Sequence, residues 1–517
     1  MKSAGAVRLA AALVAGAATV FGFAPFCLWA LPIVTFGALA LLWQTAPSAR
    51  AAAWIGYAFG AGLFAVGASW VFIALNTFGG MPVLLAAIGT AGFCGFLALY
   101  PAAVGWIATR WTPLGSWQRA LAAAALWPIA EWARSLVFTG FPWLSLGYAV
   151  LPGGRPTALA GFAPIGGVFL VSLAITLVAA ALAVAIDALA AAARRRAAAW
   201  LSVALALCVG GAALGRVEWT AETGAPLAVS LIQGNVAQDL KFDPDFNART
   251  FALYTNLVKS SRGRLVVLPE SAFPLFAHEV PDAVLLDVIS TVVPRNGDAV
   301  IGVFTSEPPL ESGGMPRYYN SVVTVGTAQP QLYRKRHLVP FGETIPLEPI
   351  TGWFIRKILA IPLASQARGD ADQPPLELAG QRVAVDICYE DAFGAEIRRT
   401  AGQATLLVNL TNDAWYGRSI AAMQHNQIAS MRALETGRPL LRATNTGITS
   451  AIAHDGREMA RLPWFTRGIL EVEIVGRQGT TPYVRFGDAV PIALAAALLL
   501  FAYLRHRGTG RSTAGLG

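Results

Sequence analysis

The sequence carries little charge for its length of 517 residues. Charged side chains make up 13% of it and hydrophobic side chains 55%, whereas an ordinary soluble domain has about 25% charged residues. The mean hydropathy is +0.53. This composition indicates a membrane protein, and the length allows a bundle of spanning helices together with one sizeable soluble domain.

Acidic side chains are especially scarce outside the middle of the chain, and the formal net charge is +9. Residues 226–487 contain 25 Lys+Arg and 25 Asp+Glu, which leaves 14 of the 39 basic and 5 of the 30 acidic residues for the rest. Basic residues in excess beside apolar segments set the topology of membrane proteins. The positive charge therefore gives no reason to expect a nucleic-acid partner.

Cysteine is also rare. Three of the four cysteines, Cys27, Cys94 and Cys208, fall in apolar runs, and only Cys388 lies in the polar region. That region can therefore hold no internal disulfide. The five histidines are scattered, and no Cys/His spacing suggests a metal site, so we expect no metal.

Long hydrophobic runs are abundant. Seven precede residue 226, at about 6–24, 27–45, 52–75, 82–109, 119–138, 162–190 and 197–214, and an eighth follows at about 488–504. Each is close to the roughly 20 residues that a spanning helix needs. We therefore predict a membrane protein of eight transmembrane helices: a bundle in residues 1–225, an inserted domain in residues 226–487, and a last helix with a cytoplasmic tail in residues 488–517.

Basic residues are divided unevenly between the two sides that eight alternating helices define. With a cytoplasmic N-terminus, the outer side receives only Arg155 and Arg216 outside residues 226–487. The inner side receives Lys2, Arg8, Arg50, Arg110, Arg119, Arg194, Arg195, Arg196, Arg505, Arg507 and Arg511. This asymmetry predicts a multi-pass protein of the bacterial inner membrane with residues 226–487 in the periplasm.

Two further segments have both a structural and a functional interpretation. Glu131 and Arg134 share a face of the fifth span, and we interpret them as a mutually satisfied pair. Residues 346–364 combine apolar side chains with Arg356 and Lys357. They form either an amphipathic arm at the bilayer surface, able to act as a lid, or an ordinary surface helix; the sequence leaves both open.

Residues 226–487 change to short β-rich runs that alternate with helical stretches, which predicts a layered α/β domain. The helical stretches are about 247–261, 283–293 and 421–435. The predicted strands are 227–233, 265–268, 299–304, 321–325, 383–388, 406–410, 440–443 and 448–453.

Reactive side chains follow several of these strands, where open α/β sheets place their sites. Glu270 ends the run of residues 266–270 and could serve as a general base. Lys335 could stabilise an oxyanion, and Glu343 follows it in the turn of residues 340–343. Each also has a structural interpretation: Glu270 alone could be an ordinary acidic residue of a turn, and a lysine within a basic run is usually solvated.

The thiol of Cys388 ends another strand and meets Tyr389 and Glu390. Strand cysteines usually belong to the core, but this is the only thiol of the polar region, and a nearby lysine would favour its thiolate. Residues 409–417 run from a strand into a loop with Asn412, Trp415 and Tyr416 that could form a pocket wall.

The order Glu270, Lys335, Cys388 resembles the catalytic triad of the nitrilase superfamily. Within it, the membrane setting resembles the bacterial apolipoprotein N-acyltransferases, whose nitrilase-like domain precedes the last membrane helix. Supporting segments are 21–25 (FGFAP), 140–144 (GFPWL), 233–235 (QGN) and 442–447 (RATNTG).

The resemblance implies an α-β-β-α sandwich for the inserted domain and acyl transfer without a cofactor. Cys388 would take an acyl chain from a phospholipid, expected to be phosphatidylethanolamine, and pass it to the N-terminal amine of a diacylated apolipoprotein. Glu270 would move protons, Lys335 would hold the oxyanion, and Glu343, Tyr389 and Glu390 would support them. The substrate-binding residues implied or expected are Phe242, Trp353, Asn412, Trp415 and Tyr416.

One position departs from the family pattern. A tryptophan commonly follows the lysine after the QGN segment, but here Lys241 is followed by Phe242, so a role that needs an indole N–H is in doubt. Three alternatives remain: a membrane-tethered amidase or nitrilase that uses water, a transporter with an external binding domain, and a scaffold with an inactive nitrilase fold. Few charges within the spans and the absence of an evident inverted repeat argue against a transporter, and the three triad residue types argue against an inactive fold.

Overall fold

A computed structural model of the chain describes residues 2–241, 243–309, 316–340, 342–344 and 366–512. The chain forms two compact units. Unit 1 comprises Met1–Glu218, Arg418–Gln427 and Arg485–Gly517, and unit 2 comprises Trp219–Gly417 and Ile428–Val484.

Unit 1 is built of α-helices. Within the described chain, six segments are long and apolar enough to cross a membrane: Gly5–Gly22, Ala49–Gly67, Val83–Trp111, Ala158–Ala190, Arg194–Leu214 and Ala489–His506. The helices themselves are Lys2–Thr19, Leu31–Gln44, Ala49–Gly67, Val83–Leu97, Leu99–Trp111, Trp117–Arg134, Ala163–Ala190, Arg194–Leu214 and Ala489–Ser512.

The predicted count of eight spans is thus not confirmed, although every predicted stretch contains a helix. Leu31–Gln44 is apolar but short. Trp117–Arg134 contains three charged side chains, Arg119, Glu131 and Arg134. Charges at such a position are tolerated when they lie inside the protein, and all three side chains are buried.

Backbone groups satisfy much of this buried charge. Glu131 accepts hydrogen bonds from the indole N–H of Trp127 at 2.8 Å and the backbone N–H of Leu146 at 2.8 Å. Arg134 donates to the carbonyls of Phe141, at 2.6 Å, and Trp143. The two charged side chains therefore hold the loop that follows their helix, and their pairing with each other stays a prediction.

Unit 2 contains two six-stranded sheets. The strands are β1 Thr220–Gln233, β2 Leu265–Val267, β3 Asp298–Glu307, β4 Arg317–Gly326, β5 Leu332–Arg334, β6 Leu376–Leu378, β7 Gln381–Ile387, β8 Leu406–Thr411, β9 Leu440–Thr444, β10 Ser450–Ile452, β11 Glu458–Arg461 and β12 Gly468–Gly479. The strand orders are β12-β1-β2-β3-β4-β5 and β11-β10-β9-β8-β7-β6. The strands β1–β2–β3 and β7–β8–β9 are parallel within each sheet, and the flanking pairs are antiparallel.

The sheets pack face to face through one apolar core that includes Leu231, Val385 and Leu441. A separate core packs helices Pro244–Ser260 and Asp282–Val292 on the outer face of the first sheet. A third packs Gly394–Ala401 and the part of Ala421–Thr436 from Ile428 onward on the second. This gives the α-β-β-α sandwich that the resemblance implies.

All eight predicted strands are present, and four more were missed. β5 and β6 have only three residues each, too short for an alternating pattern to show. β11 and β12 alternate polar and apolar residues at sheet edges, so their burial pattern is interrupted. These four strands form the edges of the two sheets. Of the predicted reactive groups, only Lys335 directly follows one of them, β5.

Candidate active site

Glu270 lies three residues beyond β2 and is buried. Its Oε1 accepts a hydrogen bond from Asn320 Nδ2 at 2.7 Å and lies 3.5 Å from Lys335 Nζ. The segment carrying it presses against β3, where a Cβ on Gly302 would lie 2.5 Å from the Pro269 carbonyl oxygen. Only glycine allows this close approach, which fixes the carboxylate by backbone packing as well as by its partners.

Lys335 follows β5 directly and is fully buried. Its ammonium group lies 2.8 Å from Glu343 Oε1, and the other oxygen of Glu343 accepts from the backbone N–H of Val339 at 2.9 Å. Burial alone would lower the pKa of Lys335, but the carboxylates of Glu343 and Glu270 outweigh it and raise the pKa. The lysine is therefore a permanent positive charge held between two acids.

Cys388 follows β7 and begins the short turn Cys388–Ala392. Its φ is +56°, a left-handed conformation that costs a non-glycine residue about 1 kcal/mol or more. Burial and then the charge of Glu270 raise the pKa of the thiol well above its ordinary value, with Lys335 acting in the opposite sense. The resting residue is thus a thiol, and it needs a base to become a nucleophile.

The structure therefore brings Glu270, Lys335 and Cys388 into one buried cluster in which each influences the others electrostatically. This cluster can perform nucleophilic catalysis: a thiol, a carboxylate able to take its proton and a fixed cation for an oxyanion. The assignment of these roles to the three residues stays a prediction.

Glu390 ties two segments of this cluster together. Its Oε1 accepts from the backbone N–H groups of Arg336 at 2.7 Å and His337 at 3.0 Å. Its Oε2 accepts from the N–H of Ile387 at 2.7 Å and the hydroxyl of Tyr333 at 2.9 Å. One carboxylate thus joins the chain on both sides of Lys335 to the residue that precedes Cys388.

Tyr389 is buried in an aromatic cluster. Its ring centroid lies 5.1 Å from that of Phe393 and 5.9 Å from that of His337. The ring thus packs the turn Cys388–Ala392 against the segment that follows Lys335, and a supporting role for Tyr389 stays a prediction.

The expected substrate-binding residues are placed unevenly. Asn412 is buried, where it donates to Gln238 Oε1 at 2.7 Å and accepts from Asn445 Nδ2 at 3.1 Å. Trp415 is exposed, and Tyr416 is partly exposed beside it. Loss of hydration and then the charge of Cys388 raise the pKa of Tyr416, so this loop borders the cluster.

Two expected substrate contacts, Phe242 and Trp353, lie outside the described residues, as does the arm of residues 346–364. Within the described part of the chain, no group of three or more His, Cys, Asp or Glu side chains could hold a metal ion.

Three further residues of the cluster escaped the sequence analysis. Lys241 is buried and donates to the backbone carbonyl of Glu270 at 2.8 Å, and burial lowers its pKa to about 8. Asn320, on β4, donates to Glu270 and also to Glu343 at 3.3 Å. Arg442, on β9, is described below. Lys241 and Arg442 lie in segments that the sequence analysis names, whereas Asn320 is one of several polar residues of β4. For all three, only the tertiary contacts show which groups they bind.

Known protein families match both parts of the chain. The apolipoprotein N-acyltransferase N-terminal domain matches residues 15–181, and the carbon-nitrogen hydrolase family matches residues 209–483. A structurally similar amidase from Nesterenkonia sp. is 18% identical, covers 50% of this chain and 92% of its own, and has a TM-score of 0.35.

Two relatives cover almost the whole chain. Apolipoprotein N-acyltransferase of Nitrosomonas europaea is 46% identical over 496 residues, 96% of this chain and 97% of that protein. The protein of the same name from Ralstonia nicotianae is 42% identical over 519 residues, 98% of this chain and 95% of its own. With six segments of the described residues long and apolar enough to cross a membrane, the chain is a multi-pass membrane enzyme that belongs to the apolipoprotein N-acyltransferase family.

Proposed function

We propose that this enzyme moves an acyl chain from a phospholipid to Cys388, and from there to the α-amino group of an S-diacylglyceryl-cysteine at the N-terminus of an apolipoprotein. The observation that carries the proposal is the buried cluster of Glu270, Lys335 and Glu343 around the Cys388 thiol. The names of the relatives support the acceptor.

In the first half-reaction, Glu270 takes the thiol proton while the sulfur attacks the ester carbonyl of the donor, which we expect to be phosphatidylethanolamine. The charge that develops on the carbonyl oxygen is held by the ammonium of Lys335, whose position Glu343 fixes. Glu270 then returns the proton to the departing alkoxide, and a lysophospholipid leaves a thioester on Cys388.

In the second half-reaction, the acceptor amine attacks the thioester. Glu270 takes a proton from the amine and passes it to the departing sulfur, and an amide forms. The enzyme returns to its starting protonation state, so the cycle is of the ping-pong type and needs no cofactor. Transfer through a covalent intermediate divides one slow exchange into two faster steps.

Both substrates carry acyl chains whose removal from a bilayer costs about 0.8 kcal/mol per methylene group. A membrane-embedded enzyme avoids that cost. The uneven distribution of Lys and Arg supports an inner-membrane location with residues 226–487 on the periplasmic side. The exposed residue Ala283 provides the test: a cysteine there should react with an impermeant reagent added to the outside of spheroplasts, and labelling only after lysis would reject the topology.

The function is tested with purified full-length protein and Cys388→Ala, with Cys208→Ala in the helix Arg194–Leu214 as the matched control. Wild type and the control should N-acylate a diacylated lipopeptide, and Cys388→Ala should not. Mass spectrometry should find an acyl adduct on Cys388 after incubation with phosphatidylethanolamine alone. Activity retained by Cys388→Ala would reject the thioester route.

The same experiment separates transfer from hydrolysis. A transferase should keep its adduct in water and lose it when lipopeptide is added. An adduct that is lost equally fast without the acceptor would favour the alternative, a membrane-tethered hydrolase of the amidase or nitrilase type.

A further inference from the structure

The guanidinium group of Arg442 is completely buried in unit 2, behind the turn that carries Cys388. Its Nη1 donates to Asp391 Oδ2 at 2.8 Å and to Asn409 Oδ1 at 2.7 Å. Its Nη2 donates to Asp413 Oδ2 at 3.2 Å. One side chain thus holds two buried carboxylates and an amide.

The two carboxylates belong to two different turns. Asp391 lies in Cys388–Ala392, the turn that the nucleophile begins, and Asp413 begins the turn Asp413–Tyr416. These turns follow the neighbouring parallel strands β7 and β8. Arg442, on the next strand, therefore links the turn that begins at Cys388 to the loop of Trp415 and Tyr416.

Asn409 extends this connection to the nucleophile itself. Asp386, Asn409 and Arg442 are register partners across β7, β8 and β9. Besides accepting from Arg442, the Asn409 side chain donates to Asp386 and, at 3.3 Å, to the backbone carbonyl of Cys388. A single amide therefore links the guanidinium to the backbone of the reacting residue.

Charge gives Arg442 a second effect. The Asp413 carboxylate is among the groups that raise the pKa of Cys388, whereas a negative charge on Cys388 raises the pKa of Arg442. The guanidinium thus offsets the Asp413 carboxylate, which opposes the thiolate. The other titratable groups that act on or respond to Cys388 are Glu270, Glu343, Lys335, Lys241 and Tyr416.

We propose that Arg442 is a positioning residue for acyl transfer: it sets the turn of Cys388 against the turn of Asp413–Tyr416 and neutralises the two carboxylates between them, so that the nucleophile can ionise. The inference rests on the proposed role of Cys388. It assigns a purpose to the segment of residues 442–447 that the proposed mechanism leaves unexplained.

Arg438 offers a matched control. It is also buried and only four residues away, but it donates to the backbone carbonyls of Ala404 and Gly479, both at 2.7 Å. Replacing it should lower stability without changing the charge balance at Cys388. A purely structural purpose for Arg442 would make the two arginines behave alike.

The experiment measures the rate at which iodoacetamide alkylates Cys388 in the full-length protein at pH 7.5, resolved by peptide mass spectrometry. Below the pKa of a thiol this rate follows the thiolate fraction, with a tenfold change for about one pKa unit. Arg442→Gln should slow alkylation at least about tenfold, and Arg438→Gln should leave it unchanged. Adding Asp413→Asn to Arg442→Gln should restore most of the rate.

Arg442→Lys separates the two effects, because lysine keeps the charge but cannot span three acceptors. It should alkylate within about threefold of wild type yet transfer acyl groups at least about tenfold more slowly. Wild-type alkylation in folded Arg442→Gln, or no recovery in the double variant, would overturn the proposal.

If Arg442→Gln does not fold, the single variant Asp413→Asn tests the proposal instead, because removal of the Asp413 carboxylate should speed alkylation of Cys388. An unchanged or slower rate would overturn the proposal. Alkylation is read without any lipid substrate, so these outcomes are distinguishable from a failure of the proposed acyl-transfer function, which would appear as activity in Cys388→Ala.

Discussion

Replacing Glu390 by glutamine should disable the enzyme while leaving its fold largely intact. The native carboxylate accepts four hydrogen bonds, two on each oxygen. A glutamine has almost the same shape but only one accepting oxygen, and its NH₂ group is a donor. Whichever way the amide turns, it must meet two groups that donate to the native side chain.

The structure sets the size of the effect. In the better orientation the NH₂ group faces the hydroxyl of Tyr333, which can rotate to accept, and the N–H of Ile387, which cannot. One buried N–H is then left without an acceptor, at a cost of about 1–3 kcal/mol. The chain before Cys388 must move to relieve this. A displacement of about 1 Å in a reacting group can lower the rate roughly 100-fold.

The assay compares kcat for N-acylation of a lipopeptide, and the melting temperature, between purified Glu390→Gln and two controls. Glu396→Gln changes a nearby, partly exposed carboxylate that meets His337 through its ring Nδ1 at 3.0 Å. Tyr333→Phe removes only one of the four hydrogen bonds to Glu390. We expect a fall in kcat of about 100-fold for Glu390→Gln and small effects for both controls.

The reasoning would be refuted by a Glu390→Gln protein that keeps wild-type kcat, or by one that loses no more activity than Glu396→Gln. A large loss of melting temperature with unchanged kcat per folded molecule would also contradict it, because the carboxylate would then serve stability alone.

Three further outcomes follow from contacts around Glu270. Since burial lowers the pKa of Lys241 to about 8, kcat should decline above about pH 8 as the lysine loses its charge. The Lys241→Arg variant should keep a constant kcat to higher pH. Because the pKa is lower in the folded protein, the contribution of Lys241 to the free energy of unfolding rises between about pH 8 and pH 10.5. Asn320→Leu removes the donor to Glu270 and Glu343 and should lower kcat at least about tenfold with little change in KM, whereas equal changes in both would contradict a purely positioning effect. Gly302→Ala places a Cβ 2.9 Å from the Glu270 Cα, so kcat should fall while alkylation of Cys388 persists. A wild-type kcat in this variant would show that the Glu270 segment can shift without loss of activity.

Local sequence pattern predicted the elements that bury apolar surface. The strands β2, β8 and β9 are fully buried, and β7 is buried except at Arg382. Their largely apolar runs could be recognised without tertiary information. The helix Trp117–Arg134 shows the limit of the same reasoning. It was counted as a span from its apolar residues, but three charges interrupt it, and only contacts from other parts of the chain explain how they are accommodated.

The candidate site could be predicted only where a reactive residue follows a recognisable strand. Glu270 and Cys388 meet that condition. Lys335 follows a strand of three residues that pattern does not detect, so the residues alone leave it ambiguous and only the family resemblance singles it out. Asn320 and Arg442 contact side chains more than 20 residues away in sequence, and no local spacing encodes such partners.

The charge of the buried cluster explains why a thiol with a raised pKa can still serve as a nucleophile. The described cluster has more acids than cations: Glu270, Glu343, Glu390, Asp386, Asp391 and Asp413 against Lys241, Lys335 and Arg442. Burial raises the pKa of Asp386 and of Glu390, so further negative charge is unfavourable in this cluster. Release of the Cys388 proton to water would add one more negative charge to this cluster. Transfer to Glu270 leaves its total charge unchanged, because one anion replaces another. The proposed transfer to Glu270 therefore avoids the cost of burying a new charge.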